Sequence, residues 1–199
     1  MKLEFVALGG ALDPKREKPP IGGSAYALIA GDAALVVDCG VYPSLLRERE
    51  ESKKLFAIEF EEVGPYKLPK LPDLTFLKRL VEQDDPFLRA EEGALSLPNY
   101  ESLKGIKKLF VVATHGHFDH IGGLPLLKAM FPNALVLMTE ETFAISSWAW
   151  DDSLRLARRT RRKLLFYPRD VAQLKNDIIR ITRGRQVSLG PFEVTCFPS

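Results

Sequence analysis

Short apolar runs bounded by glycine, proline or aspartate recur along this chain, and their spacing predicts most of its strands. Leu3 to Leu8 reads as a first strand, stopped by Gly9-Gly10. Asp13 to Gly23, with Pro14, Pro19 and Pro20 among charges, can only be a loop. Ala25 to Ile29 and Ala34 to Val37 are two strand-like runs joined at Gly31-Asp32, and the second stops at Asp38-Cys39-Gly40. Lys108 to Ala113 is a continuous apolar run of strand length, which marks a buried strand. Ala134 to Met138 is another, and Gln186 to Phe197 reads as two strands around Gly190-Pro191.

Helical spacing fills the gaps. A short helix runs from about Leu124 to Met130. Thr139 is placed as an N-cap, with Glu140, Glu141 and Thr142 in the first turn of a long helix through Leu156 to about Lys163. Pro168-Arg169-Asp170 opens a further helix that reaches about Arg180. Between Pro43 and Lys104 the pattern weakens. Arg47 to Lys54 and Thr75 to Gln83 read as helical pieces, separated by the proline-punctuated segments Leu71-Pro72-Asp73-Leu74 and Leu97-Pro98-Asn99-Tyr100. Residues 43–104 are therefore expected to be an insertion or lid within the domain. Strands that come both as neighbours and in alternation with helices give an α+β class in packed layers.

Composition narrows the function classes. A chain of 199 residues, 46% apolar and 27% charged, suits one soluble globular domain. The formal net charge of +2 gives no reason by itself to expect nucleic acid or membrane as a partner. The two cysteines, Cys39 and Cys196, fit no metal or disulfide spacing and are expected to be small buried hydrophobes. That usage, the lack of a signal-peptide pattern at Met1 to Val6, and apolar runs far short of a bilayer span predict a cytoplasmic protein with no membrane partner.

All 3 histidines fall in Thr114-His115-Gly116-His117-Phe118-Asp119-His120, directly after the buried strand. Packing explains a lone histidine well and this cluster poorly. Residues two apart in extended chain point the same way, so His115 and His117 can present imidazoles to one ion. Asp119 and His120, where the chain turns toward the helix, can face a second. Imidazole and carboxylate donors suit zinc, manganese or iron. Gly116 is expected to remove bulk beside the ions, and Gly122-Gly123 to let the backbone turn tightly behind the loop.

The pattern His115-x-His117-x-Asp119-His120 at the end of an apolar strand resembles the second motif of the metallo-β-lactamase superfamily. Asp38 in Val36-Val37-Asp38-Cys39-Gly40 resembles its first, an aspartate that buttresses the metal loop. The resemblance implies a four-layer αββα sandwich, of which this chain carries the amino-terminal part. It implies two divalent ions, most readily zinc, with His115 and His117 on one and Asp119 and His120 on the other. A hydroxide held between the ions would attack an ester-type bond, so Asp119 and Asp38 are the candidate catalytic residues.

Flanking segments resemble one branch, the β-CASP nucleases that include ribonuclease J. In that branch a strand ends in Thr-Glu and the next helix carries Asp-Ser. Here Met138-Thr139-Glu140-Glu141 and Trp150-Asp151-Asp152-Ser153 are similar, as are Tyr167 to Val171 and Pro191 to Phe197. This likeness implies a phosphodiesterase acting on RNA. Arg155, Arg158, Arg159, Arg161, Arg162 and Lys163 gather at the end of the long helix; a solvated basic face is the commoner reading, and Arg158, Arg159, Arg161 and Arg162 are the candidate RNA contacts. Trp148 and Trp150 are expected to be packing residues.

In the family pattern a third-motif histidine, a bridging aspartate and a further histidine follow, and this sequence has no histidine after His120. The chain is thus expected to be the amino-terminal part of a longer protein, with its metal sites completed by ligands beyond residue 199 and with weak metal binding alone. Alternative readings are a glyoxalase-II-like thioesterase or lactonase of the same fold, and an inactive relative that binds RNA or a protein. A homo-oligomer is a further expectation.

Overall fold

The computed structural model of the chain describes residues 2–9, 23–41, 60–63, 66–69, 86, 98, 100–160 and 166–197. Its centre is a six-stranded mixed sheet. Three antiparallel neighbours come first: β1 (Leu3–Gly9), β2 (Ala25–Ala30) and β3 (Ala33–Val37). Then β6 (Lys108–Val112), β7 (Leu135–Thr139) and β8 (Ile179–Ile181) continue the sheet in parallel from β3, in the order β1-β2-β3-β6-β7-β8. Two small hairpins stand apart. One is β4 (Phe60–Val63) with β5 (Tyr66–Pro69), and the other is β9 (Gln186–Leu189) with β10 (Phe192–Thr195).

Parallel neighbours need long crossovers, and helices supply them here. Between β6 and β7 lie α1 (Phe118–Ile121) and α2 (Leu124–Met130); between β7 and β8 lie α3 (Glu140–Thr160) and α4 (Pro168–Asp177). The central strands are apolar on both faces because both faces are covered. Ala34, Val36, Val111, Val136 and Met138 point into a core shared with Ile121, Leu124, Leu127, Trp150 and Leu174 of the helices. Leu35, Phe110, Val112, Leu137 and Ile181 point the other way, onto Leu189 and Phe192 of the β9–β10 hairpin. The result is helices, sheet and hairpin in successive layers, the mixed α+β arrangement expected.

Local chemistry sets the boundaries. Thr139 caps α3 as expected, its Oγ1 accepting from the Thr142 amide at 3.3 Å. Pro168 starts α4, and the buried Asp170 carboxylate takes the Tyr167 amide at 2.7 Å. Lys128 is buried on α2 because it has three partners: the carbonyls of Pro132 (2.6 Å) and Ala134 (2.9 Å) and the Asp177 carboxylate (3.1 Å). That side chain ties the end of α2 to the end of α4.

Three expectations change. The helix opened by Pro168 ends at Asp177 and not near Arg180; Ile179 to Ile181 instead pair with Leu137 to Thr139 and put Ile181 into the core beneath the hairpin. Short periods of alternation at the end of a helical pattern are where tertiary pairing overrides helical spacing. The 43–104 excursion contains the β4–β5 hairpin, whereas helical pieces alone were expected; the expected helices at 47–54 and 75–83, and the loop at 13–22, lie outside the described residues. Trp148 is 67% exposed while Trp150 is fully buried, so only the second is a packing residue. Among the described residues no helix is long and apolar enough to cross a membrane.

Trp150 joins α3 to the loop after β6, since its indole Nε1 donates to the Ile121 carbonyl at 3.0 Å. Trp150→Ala removes a large core side chain and that hydrogen bond together. Urea unfolding should show a loss of about 3–5 kcal/mol.

Candidate metal centre

The parallel register of β3 and β6 decides where the site is. Val37 sits opposite Val112, so the chain leaves both central strands at the same end of the sheet, and Asp38 meets Thr114 there. The Asp38 amide donates to the Val112 carbonyl at 2.9 Å, which extends the ladder by one step. Asp38 then turns the chain with φ +61°, the left-handed region that aspartate and asparagine tolerate best after glycine.

The next residues are stitched to the short helix α1. Cys39 N donates to His120 O at 2.7 Å, Gly123 N to Cys39 O at 2.7 Å, and Ser24 N to Asp119 O at 2.9 Å. Gly40 lies flat on the Asp119–His120 peptide, where a Cβ would stand 1.6 Å from the Asp119 carbonyl oxygen. No side chain fits there. Behind the loop, a Cβ on Gly116 would meet Ile145 Cγ2 at 2.6 Å, so the approach of α3 requires a glycine there. Gly122 has helical φ of −64° and abuts Phe118 and Val41; close approach, not a tight turn, requires it.

Asp38 is only 4% exposed, and its carboxylate is the hub of the site. Oδ1 accepts the Thr114 amide at 2.7 Å. The Thr114 hydroxyl donates to the carboxylate, 2.9 Å from Oδ1 and 2.8 Å from Oδ2. His120 Nδ1 lies 2.8 Å from Oδ2. An ionised carboxylate has acceptors only, so His120 must carry its proton on Nδ1. Thr114 Oγ1 also lies 3.0 Å from His115 Nδ1. Its single proton is already committed to Asp38, so it accepts there, and His115 too carries its proton on Nδ1. One carboxylate thereby leaves Nε2 of both histidines as a lone pair, the form a metal needs.

The three rings form one cluster. His115 and His120 have centroids 3.9 Å apart, and His115 and His117 lie edge to face at 4.7 Å. Partial burial, and then the nearby His120 and His117, hold His115 below the ordinary histidine value of 6.5, with Asp38 and Asp119 acting the other way. His120 Nε2 faces Asp119 Oδ2 at 3.7 Å. Two donors bound tetrahedrally to one zinc ion at its usual bond lengths stand roughly 3.4 Å apart, so the pair is spaced like one edge of such a site.

Among the described residues no group of three or more donors converges as it stands on a point that could hold an ion. The donor set nonetheless fits a divalent cation in chemistry, in tautomer and in the spacing of the Asp119–His120 pair. His115, His117, Asp119 and His120 are the residues that would hold it, and Asp38 would support them from behind.

Thr114 is the residue that sequence reasoning missed. It stands at the head of the histidine loop, and its role depends on Asp38, 76 residues earlier in the chain. Cys39 is buried as expected, yet it is hydrogen-bonded to Tyr100 Oη at 2.9 Å, and burial pushes its thiol up to about 12. It is an inert thiol with no place among the donors. Cys196 follows β10 and is only partly buried. Arg158 and Arg159 are exposed on α3, and Arg161 and Arg162 lie outside the described residues. From Ile145, which touches the loop, to Arg158 is about 20 Å along the helix. Arg158 and Arg159 therefore do not line the histidine cluster.

A family model described as the metallo-beta-lactamase superfamily matches residues 84–191. Among solved structures, the chain is similar to the metallo-beta-lactamase fold protein YhfI from Bacillus subtilis, at 16% identity and a TM-score of 0.37 over 97% of this chain and 51% of that one. It is also similar to a beta-lactamase domain protein from Burkholderia ambifaria, at 14% identity and a TM-score of 0.36 over 96% of this chain and 44% of that one. The chain spans about half the length of these two proteins.

Two outcomes follow from the geometry. Asp38→Asn keeps the left-handed turn but places a donor where His120 and Thr114 need an acceptor, so zinc affinity measured by chelator competition should fall about 10–100-fold. The pH dependence comes from His115. Its folded value lies below 6.5, so under acid the unfolded chain takes up its proton first. Stability of the metal-free chain should hold above pH 6.5 and decline as pH falls through the folded value, and His115→Gln should flatten that decline in thermal melts.

Proposed function

Because this chain belongs to the metallo-β-lactamase superfamily, whose members are mostly metal-dependent hydrolases, we propose that it contributes the histidine loop of a metal-dependent phosphodiesterase acting on RNA. The observation that carries the hydrolase reading is the Asp38 carboxylate with its paired histidines, each left with a free Nε2 by the same acceptor. Divalent cations, when bound, stabilise developing negative charge and make coordinated water more acidic. Zinc is the ion these donors favour, with manganese and iron as alternatives, and two ions per complete site is the proposed number.

The chain's own residues have distinct tasks. Asp38 and Thr114 fix the orientation and proton position of His115 and His120. His117 is exposed and Asp119, beside His120, is 35% exposed, so both side chains are open to a substrate. The Asp119 carboxylate can also accept a hydrogen bond from the attacking water and orient it. The site lies at the carboxyl ends of the central strands β3 and β6, and His117 there is exposed.

The choice of RNA rests on the β-CASP likeness of the flanking segments. The position of those residues supports it: β7 ends at Thr139, α3 starts at Glu140, and α3 carries Asp152-Ser153.

Labelled single-stranded RNA incubated with the complete protein and zinc or manganese tests this reading. Cleavage should be abolished by EDTA and fall by at least about a hundredfold in His117→Ala. RNA left intact beside a hydrolysed thioester or lactone would reassign the substrate while keeping the hydrolase. RNA retained but not cleaved, with loop substitutions having no effect, would favour a binding protein.

A further inference from the structure

Helix α3 runs for 21 residues, about 31 Å, and among the described residues its buried side chains fall on one side. Thr142, Ser146, Trp150, Leu154 and Ala157 are buried on that side. On the opposite side, at about 100° per residue, Glu141, Ile145, Trp148, Asp152, Arg155, Leu156 and Arg159 fall within an arc of roughly 100°. Ile145 is 54% exposed, Trp148 67% and Leu156 51%. Large apolar side chains in a row along one helix face are the mark of a docking surface rather than of scattered exposure.

The order of the charges on this face says what docks. Glu141 stands near the start, Asp152 just beyond the middle, and Arg155 and Arg159 near the end. Two acids and two arginines cancel, so the face offers a polyanion no net attraction. Read in reverse, however, the face is complementary to itself. A two-fold axis crossing the helix at the level of Trp150 sets Glu141 against Arg159 and Trp148 against Asp152. It also sets Ile145 against Arg155 and Leu156, with the two Trp148 rings adjacent at the centre.

We propose that α3 is a self-association surface, on which two copies of this chain pair antiparallel about that axis. The pairing aligns the two helix dipoles favourably, and it gives the Trp148 indole N–H a carboxylate to donate to. Glu141 lies 3.5 Å from Arg183 in the single chain, and Asp152 is paired with Arg155. Both are exposed pairs of little worth, so exchanging them for contacts across the axis costs little. Because Ile145 lies against Gly116, this face borders the histidine loop. A single pair of helices buries less than the roughly 1,200 Å² of a standard interface, so the dimer is a weak one.

Sedimentation equilibrium of the 22.3 kDa chain, from low micromolar to several hundred micromolar, reads this directly. The average mass should rise toward that of a dimer. Trp148→Glu and Glu141→Arg should each keep it at the monomer value, with melting curves showing both variants folded. The double variant Glu141→Arg/Arg159→Glu restores opposite charges across the axis and should recover the dimer. Monomer at every concentration, or a dimer indifferent to Trp148→Glu, overturns the proposal. So does loss of single-stranded RNA retention in Trp148→Glu without any change in mass, which would assign the face to nucleic acid.

Discussion

The buried carboxylate of Asp38 is the constraint on which the site depends. It has acceptors only, and three donors converge on it: the Thr114 amide, the Thr114 hydroxyl and His120 Nδ1. Leaving a buried charge without such partners would cost several kcal/mol, so the arrangement of the loop and the presence of the charge require one another. The consequence reaches beyond direct contact. By taking the only proton of Thr114, Asp38 also decides where His115 carries its own. A single acidic side chain, far back from the surface, thus prepares two imidazoles that face it.

The rest of the fold serves to bring that carboxylate to the loop. Parallel pairing of β3 with β6 sets two strand ends level, and the left-handed turn at Asp38 sends the following residues under α1. Gly40 is the point of closest approach, and the hydrogen bonds of Cys39 to His120 and Gly123 hold the two segments together. From the other side, Trp150 anchors α3 to Ile121. Apolar residues on both faces of β6 make its end a rigid platform, which suits a cluster whose chemistry depends on tenths of an ångström.

Much of this was legible in the sequence, for reasons that can be named. The apolar runs of β2, β3, β6 and β7 are bounded by strong breakers, and the Thr139 cap and Pro168 start announce α3 and α4. The histidine loop is a dense pattern that packing cannot explain. What could not be read were features that depend on distant partners. Ile179 to Ile181 are a strand only because β7 offers an edge. The contact of Gly116 with Ile145 depends on a helix 29 residues further on. Thr114 acquires its role only when Asp38, 76 residues earlier, lies beside it. The exposed Trp148 and the buried Trp150 differ by two positions on one helix, and their opposite fates are set by which side of α3 meets the sheet.

The most direct test of the account is the proton position on the histidines. Long-range nitrogen–proton correlation spectra of the metal-free chain at pH 8, with labelled histidine, distinguish the two neutral tautomers. His115 and His120 should both carry the proton on Nδ1, and Asp38→Asn should shift both toward the Nε2 form, His115 included although it does not touch Asp38. Nε2-protonated rings in the native chain, or a His115 that ignores the Asp38 substitution, would contradict the relay through Thr114.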